Sequence, residues 1–373
     1  MKFKQLFYFA CITSIFINCK DNTIKHDPIR NLINLQLDSL LLNPEINAIS
    51  AGVIIDGKTY TFHKGELTKG QEDAPNNETL YEIASLTKTF TGTLLANAII
   101  EKKVTLDDDI RTRLSGDFAN LQFQSIPITF KNLATHRGGI PYMFPNKPEI
   151  FKNPDHSKLP FIINNLQKTY TKGDFFKELS TVKVDTIPGT KFGYSNAGTN
   201  LLGYCLENIY NKDYENTLKE LILTPLQMNH TKIILTKKDK ENLAQGYTEG
   251  NVKMPFSANK DMNSAGGLKS TLDDMMKYTA YHLDENNPII KTSHQEILGL
   301  WDNFDNGLFW QIFTAKENQP RKIFQNGGAF GTSSWLTLIP ENKIGVFIVT
   351  NTAGPDIHHQ LNKTVESILE KIK

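Results

Sequence analysis

The sequence predicts an α+β fold, an antiparallel sheet flanked by helices, assembled from both ends of the chain around a mostly helical insert. Three observations predict it. Two alternating runs, Ser50 to Ile55 and Thr59 to His63, flank Asp56-Gly57, a dipeptide that favours a tight hairpin turn. Strand-like runs return at the far end, Phe309 to Phe313, Ser333 to Ile339 and Lys343 to Thr350, and a helical pattern over Ile357 to Ile372 closes the chain. Between these ends the pattern changes to short helices and irregular loops. The boundaries read as an α+β domain over 29–105 and 260–373, and a mostly helical domain over 106–259.

The 373 residues, 39% hydrophobic and 22% charged, have an ordinary globular composition with room for two domains. Met1-Lys-Phe-Lys4 followed by the apolar run Leu6 to Ile17 reads as a secretory signal over 1–18, too short to span a bilayer. It ends at Cys19, similar to a bacterial lipoprotein signal in which the cysteine becomes the lipidated first residue; a plain signal peptide is the alternative. Residues 19–28 then form a polar tether, and the expected location is exported, periplasmic or anchored to the outer membrane, with membrane contact through the lipid only. Cleavage before Cys19 removes Lys2 and Lys4 and takes the formal charge from +1 to −1, which argues against a nucleic-acid partner. Cys205 is then the one unmodified cysteine, placed on an apolar helical stripe with Leu201, Leu202, Leu206 and Ile209 as a core residue.

A helix is expected around Ile29 to Leu42, then the hairpin, then the turn at Pro75 and the run Leu80 to Ala84. Ser85-x-x-Lys88 follows at a helix start. Phe90, Leu94, Leu95, Ala98 and Ile99 recur at helical spacing, so one face should be buried and Ser85 and Lys88 should meet on neighbouring turns. An amine beside a hydroxyl is a route to a nucleophile, since a desolvated lysine can be neutral and accept the proton. The unpaired N–H groups of a helix start would face the developing negative charge. Two other Ser-x-x-Lys strings, Ser180 to Lys183 and Ser257 to Lys260, open no long helical run and read as chance.

Further on, Thr129 caps a short helix ending near His136, Ser195 or Asn196 caps the helix carrying Cys205, and Ser270 or Thr271 caps a helix over Leu272 to Tyr281. Pro145 to Pro188 has no assignable pattern and is expected to wall a cleft. No metal-ligand spacing occurs among the nine histidines, and His358-His359 reads as a solvated pair.

Three motifs on separate segments, Ser85-x-x-Lys88, Tyr194-x-Asn196 and Gln325-Asn326-Gly327-Gly328, occur in this order together with Ile128 to Pro141, Pro225 to Met228 and Ser264 to Leu268. In this the chain resembles the serine β-lactamase and penicillin-binding-protein superfamily, in its class C branch with the related D,D-peptidases, D-aminopeptidases and esterases. The resemblance covers Asn47 to the C-terminus and implies a β-lactamase/transpeptidase-like fold without cofactor or metal. It implies that Ser85 attacks a carbonyl to form an acyl-enzyme while Lys88 and Tyr194 share its proton as one coupled pair, an adjacent lysine ammonium favouring the Tyr194 phenolate. Asn196 would hold the substrate amide or the lysine. Gln325, Asn326 and Gly327 would line the cleft as a strand edge, and the N–H groups of Ser85 and Gly328 would form the oxyanion hole.

The family usually carries lysine or histidine at Gln325, helping to bind a substrate carboxylate; a neutral glutamine implies a turn away from β-lactams and carboxylate-terminated peptides, with acyl transfer intact. Arg137, where a small hydroxyl residue is common, reads as a solvated loop arginine. The implied function is a cell-envelope serine hydrolase acting on a small-molecule or peptide substrate, a peptidase or esterase rather than a dedicated β-lactamase. The rival is a sensor or binding lipoprotein without turnover.

Overall fold

Asp56 and Gly57 both take positive φ, 46° and 81°, and turn β1 (Ala48–Ile55) into β2 (Lys58–Gly65) with Ile55 opposite Lys58. The computed structural model describes residues 27–372 apart from 156, 249, 259, 260, 262 and 318, so the expected signal segment and Cys19 lie outside the described residues. The sheet continues with β3 (Asp305–Asn306), β4 (Gln311–Phe313), β5 (Lys322–Gly328), β6 (Ser333–Ile339) and β7 (Ile344–Thr350), in the order β2-β1-β7-β6-β5-β4-β3 with every neighbouring pair antiparallel. β1 against β7, from Ile49 opposite Thr350 to Ile55 opposite Ile344, joins the two ends of the chain.

The helices are α1 (Pro28–Leu41), α2 (Thr87–Ile100), α3 (Phe130–Ala134), α4 (Leu159–Gln167), α5 (Lys172–Leu179), α6 (Asn196–Tyr210), α7 (Tyr214–Leu218), α8 (Lys237–Glu241), α9 (Leu272–Leu283), α10 (Pro288–Ser293) and α11 (Pro355–Lys371). Asp27 and Pro28, expected at the end of the tether, are instead the N-cap and first residue of α1. The Asp27 carboxylate accepts from Arg30 N.

Both faces of the sheet are covered, which explains why β7 is apolar and buried along its length rather than alternating. Ile344, Val346 and Ile348 face α1 and α11, whose Ile33, Leu37, Leu361 and Val365 are buried against them. Phe347 and Val349 face the other way, into a core that runs through Phe90 and Leu94 of α2 to Leu201, Cys205 and Leu206 of α6 and Leu218 of α7. Cys205 is therefore a core residue, as its stripe predicted.

α2 departs from expectation. A one-sided burial pattern was implied by its leucines, yet every residue from Thr87 to Ala96 is buried, because sheet, α6 and α9 surround it. Its threonines are accommodated by hydrogen bonds, two of them local: Thr89 Oγ1 donates to Leu86 O at 2.8 Å and Thr93 Oγ1 to Thr89 O at 2.9 Å, while Thr91 Oγ1 reaches the distant Ser264 O at 2.7 Å.

Candidate active site

Tyr81 and Glu82 pair with Lys269 and Ser270 in a short antiparallel ladder, and Ile83 N donates to Leu268 O at 3.1 Å. The chain then turns through Ala84 at φ 50°, a left-handed conformation that costs a non-glycine residue about 1 kcal/mol or more, and Ser85 follows in a 3₁₀ turn leading into α2. Beside it runs β5. Its first residues pair with β4 from Lys322 to Phe324 only, so Gln325 to Gly328 bond to β6 on one side and leave the other edge bare toward Ser85. Gly327 packs against Ile83 O and the Ser85 amide, and any Cβ there would collide with them.

Ser85 Oγ lies 3.0 Å from Lys88 Nζ and 2.8 Å from the Tyr194 hydroxyl. Lys88 Nζ also donates to Asn196 Oδ1 at 2.8 Å and to Ala265 O at 2.6 Å. Thus Ser85, Lys88, Tyr194 and Asn196, from 85 to 196 in sequence, form one hydrogen-bonded cluster. The lysine is completely buried, and desolvation alone lowers its pKa from 10.5 to about 7.

Tyr194 goes the other way. The expected phenolate is opposed by burial, which raises the phenol to about 12 against a smaller lowering by its bond to Ser85. Lys88 Nζ sits 4.9 Å from the centre of the ring, over its face, and does not reverse that effect. At neutral pH the cluster therefore holds a neutral phenol, a hydroxyl and an amine close to half-protonated.

The loop bearing Tyr194 is held by His136, whose φ is 55°. His136 O accepts from Gly193 N at 2.8 Å, its Nδ1 accepts from Ser195 N at 3.2 Å, and its ring lies 4.4 Å from that of Tyr194. Burial and the Lys88 charge lower its pKa to about 3, so the ring is neutral with its proton on Nε2. Ser195 then caps α6, accepting from Gly198 N at 2.7 Å, which leaves Asn196 in the first turn facing Lys88. His136 and Ala265 lie in the segments Ile128 to Pro141 and Ser264 to Leu268 that carry the resemblance, but neither of them is assigned a role from sequence. A lone histidine has no distinguishing spacing, and a backbone acceptor has no residue signature at all.

A cavity of about 340 Å³ opens beside Ser85, lined by Asn196, Asn200, Gly266 and Gly328 and walled by Tyr142, Phe151 and α4. The unassigned segment after Pro145 does supply a wall, as expected. Of the stretch Gln325 to Gly328, Gly328 is the residue that lines this cavity. The Gln325 side chain is buried, its Nε2 donating to Phe309 O at 2.6 Å and its Oε1 accepting from Asn326 N at 2.9 Å. Ser257 also lines the cavity, whereas Ser180 is exposed and bonds to Lys177 O.

Two surface readings are corrected. Arg137 is only 4% exposed, held between the Phe192 and Trp301 rings with Nη1 donating to Thr190 O at 3.4 Å. His358 is partly buried behind β5, its Nε2 2.7 Å from where a Cβ on Gly328 would stand, while its neighbour His359 is exposed as expected. In both cases neighbouring segments distant in sequence cover a side chain that local polarity placed in solvent. Among the described residues no cluster of histidine, cysteine or carboxylate side chains is arranged to hold a metal ion.

The sequence model of the Beta-lactamase family matches residues 39–370. Among curated relatives, a D-alanyl-D-alanine-carboxypeptidase/endopeptidase AmpH of Escherichia coli is 27% identical over 320 residues, covering 80% of this chain and 77% of the relative. A beta-lactamase of Providencia stuartii is 25% identical over 369 residues, covering 90% and 89%. Among solved structures, a class C beta-lactamase superposes with a TM-score of 0.78 at 19% identity over 94% of this chain and 98% of the other. A beta-lactamase/D-alanine carboxypeptidase from Yersinia pestis, complexed with citrate, gives 0.73 at 21% identity over 91% and 98%. At these identities the structural likenesses carry the fold, α+β with an antiparallel sheet and flanking helices. The family follows from a sequence match running nearly end to end across that fold: the chain belongs to the beta-lactamase family of serine hydrolases.

Proposed function

We propose that this chain is a cell-envelope hydrolase that cleaves small, uncharged esters or amides through an acyl-enzyme on Ser85, a peptidase or esterase rather than a dedicated β-lactamase. The observation that carries the reading is the position of Ser85 Oγ, within hydrogen-bond reach of both a buried lysine and a half-buried tyrosine. Ser85 Oγ bonds to the substrate carbonyl carbon and its proton passes to neutral Lys88. The carbonyl oxygen gains negative charge opposite the N–H groups of Ser85 and Gly328, each worth about 3 kcal/mol on general precedent. When the intermediate collapses, the leaving group departs with a proton from the Tyr194 hydroxyl, which Lys88 replenishes. Water then attacks the acyl-enzyme by the reverse relay and frees the acid.

Neutral substrates are favoured because the position where related enzymes usually carry a cation holds a glutamine whose buried amide is already engaged by Phe309 O and Asn326 N, so a substrate carboxylate would find no charge-assisted bond there. The peptidase side of the reading draws on the AmpH relative, whose name describes a carboxypeptidase and endopeptidase. The test is mass spectrometry after exposure to a fluorophosphonate and to a penicillin. A fluorophosphonate adduct on wild type and none on Ser85→Ala is expected. A penicillin adduct that persists undegraded would indicate a sensor instead, and labelling retained in Ser85→Ala would remove Ser85 as the nucleophile.

A further inference from the structure

We infer that the cavity beside Ser85 is an acyl-chain subsite, selecting an uncharged, apolar acyl group with α4 as its wall; this rests on the hydrolase reading above. α4 is unusual in this fold. Its sequence, Leu-Pro-Phe-Ile-Ile-Asn-Asn-Leu-Gln, is mostly apolar, yet none of its residues is buried. Apolar helix faces in a folded chain are normally covered by the core. Here Leu159, Pro160 and Ile163 turn instead toward the cavity that holds Ser85. The opposite wall is aromatic: Tyr142 and Phe151 meet edge to face at 5.2 Å. Leu159, Pro160 and Ile163 are thus half-buried on the side where a ligand would complete their burial, while Phe161 and Ile162, 47% and 45% exposed, lie outside the cavity lining.

Charge points the same way. Glu82 is the one charged side chain among the described residues lining this cavity. It is buried, accepts from Ser257 N at 3.1 Å, and lies in the field of buried Lys269. An anionic acyl group would meet no cation in the lining and one carboxyl group.

The orientation of the substrate follows from where the proton donor stands. Tyr194 and Gln325 do not line the cavity, while Ser85, Asn196 and Gly328 do. The leaving group must lie beside the phenol that protonates it, which leaves the cavity for the acyl part. Its volume of about 340 Å³ is at the small end of ligand sites, which span roughly 300–1,000 Å³, and suits a single chain or ring.

Each methylene moved from water onto such walls is worth up to roughly fourfold in binding. The experiment compares kcat/KM of the full chain for 4-nitrophenyl acetate, octanoate and hemisuccinate, in wild type, Leu159→Asn, Ile163→Asn and Phe161→Ser. Phe161 is 47% exposed and absent from the cavity lining, so it reports any general effect on the helix.

The expected result is an octanoate-to-acetate ratio above about ten in wild type, reduced at least fivefold in Leu159→Asn and Ile163→Asn and less than twofold in Phe161→Ser, with hemisuccinate the poorest substrate. A wild-type ratio at or below one, or a ratio unmoved by the two cavity substitutions, overturns the subsite, provided a fluorophosphonate still labels Ser85. Loss of both labelling and ester turnover in wild type would overturn the hydrolase reading itself, and the subsite with it.

Discussion

Lys88 has three hydrogen-bond contacts, and their roles depend on its charge. As an ammonium it donates to Ser85 Oγ, Asn196 Oδ1 and Ala265 O, using all three N–H groups. Neutral, it has two N–H groups for the fixed acceptors Asn196 Oδ1 and Ala265 O, and its lone pair is left facing the Ser85 hydroxyl. Nucleophile activation in the proposed mechanism therefore needs the neutral form, and kcat/KM for a neutral ester should rise with pH through a limb near 7 and then level. A profile flat from pH 5.5 to 9 would contradict this. Lys88→Met and Tyr194→Phe should each remove most of the acylation rate and the double substitution little more, since one relay is broken in every case; additive losses would mean separate roles. Ala84 offers a stability test at the same scale. Its φ of 50° suits glycine, so Ala84→Gly should raise stability by up to about 1 kcal/mol in urea unfolding.

At the scale of elements, α2 is tied to α9 and α10 through a buried polar chain. Thr93 Oγ1 meets His282 Nε2 at 3.2 Å, His282 Nδ1 meets His294 Nε2 at 3.0 Å, and His294 Nδ1 meets Glu285 Oε1 at 3.0 Å, with Arg321 bonded to the same carboxylate. Desolvation lowers both histidines below the usual value of 6.5, His282 far below because His294 adds to the effect, while Glu285 opposes it at His294. The folded state thus keeps His282 neutral where the unfolded chain takes up a proton, and below pH 6.5 the unfolded state binds more protons. The contribution of these histidines is expected to be full above pH 6.5 and to fall as pH drops below it, by at most about 1.4 kcal/mol per pH unit for each such group. Urea midpoints at pH 7.5 and 5.5 check this: His282→Gln should lower stability at both but flatten the difference. The same difference in wild type and variant would place the pH sensitivity elsewhere.

For the whole molecule, β1 against β7 makes the sheet depend on both chain ends, and α1 and α11 close its outer face. Leu361→Ala in α11, fully buried in that layer, should cost about 2–5 kcal/mol and do so without altering the pH limb of activity. The proposed anchor at Cys19 is a property of the whole chain as well. Expressed in a bacterium that lipidates exported proteins, the wild type should fractionate with membranes and Cys19→Ser should be released. A soluble wild type whose N-terminus lies beyond Cys19 would favour a plain signal peptide.

What the sequence determined by itself is local. Asp56-Gly57 specified a turn, Thr129 a helix cap, and Ser195 or Asn196 and Ser270 or Thr271 two more, because each signal acts through bonds within a few residues; the structure adds Asn132 to the first as a capping box and uses Ser195 and Thr271 for the others. The order of the three motifs was also enough to bring Ser85, Lys88, Tyr194 and Asn196 together in expectation, since a resemblance over most of the chain carries the fold with it. The strand expected from Phe309 was only partly right: Phe309 takes φ 62° and β4 starts at Gln311, a backbone choice that an apolar run does not encode. Tertiary structure alone decided the charge states. Lys88 near 7, Tyr194 near 12 and His136 near 3 are set by desolvation, which depends on what packs around a side chain from segments up to hundreds of residues away. It decided equally that α2 is buried on every side from Thr87 to Ala96, that Arg137 and His358 are covered, and that α4 turns Leu159, Pro160 and Ile163 to the cavity. Burial is a sum over distant neighbours, and no local pattern of residues contains that sum.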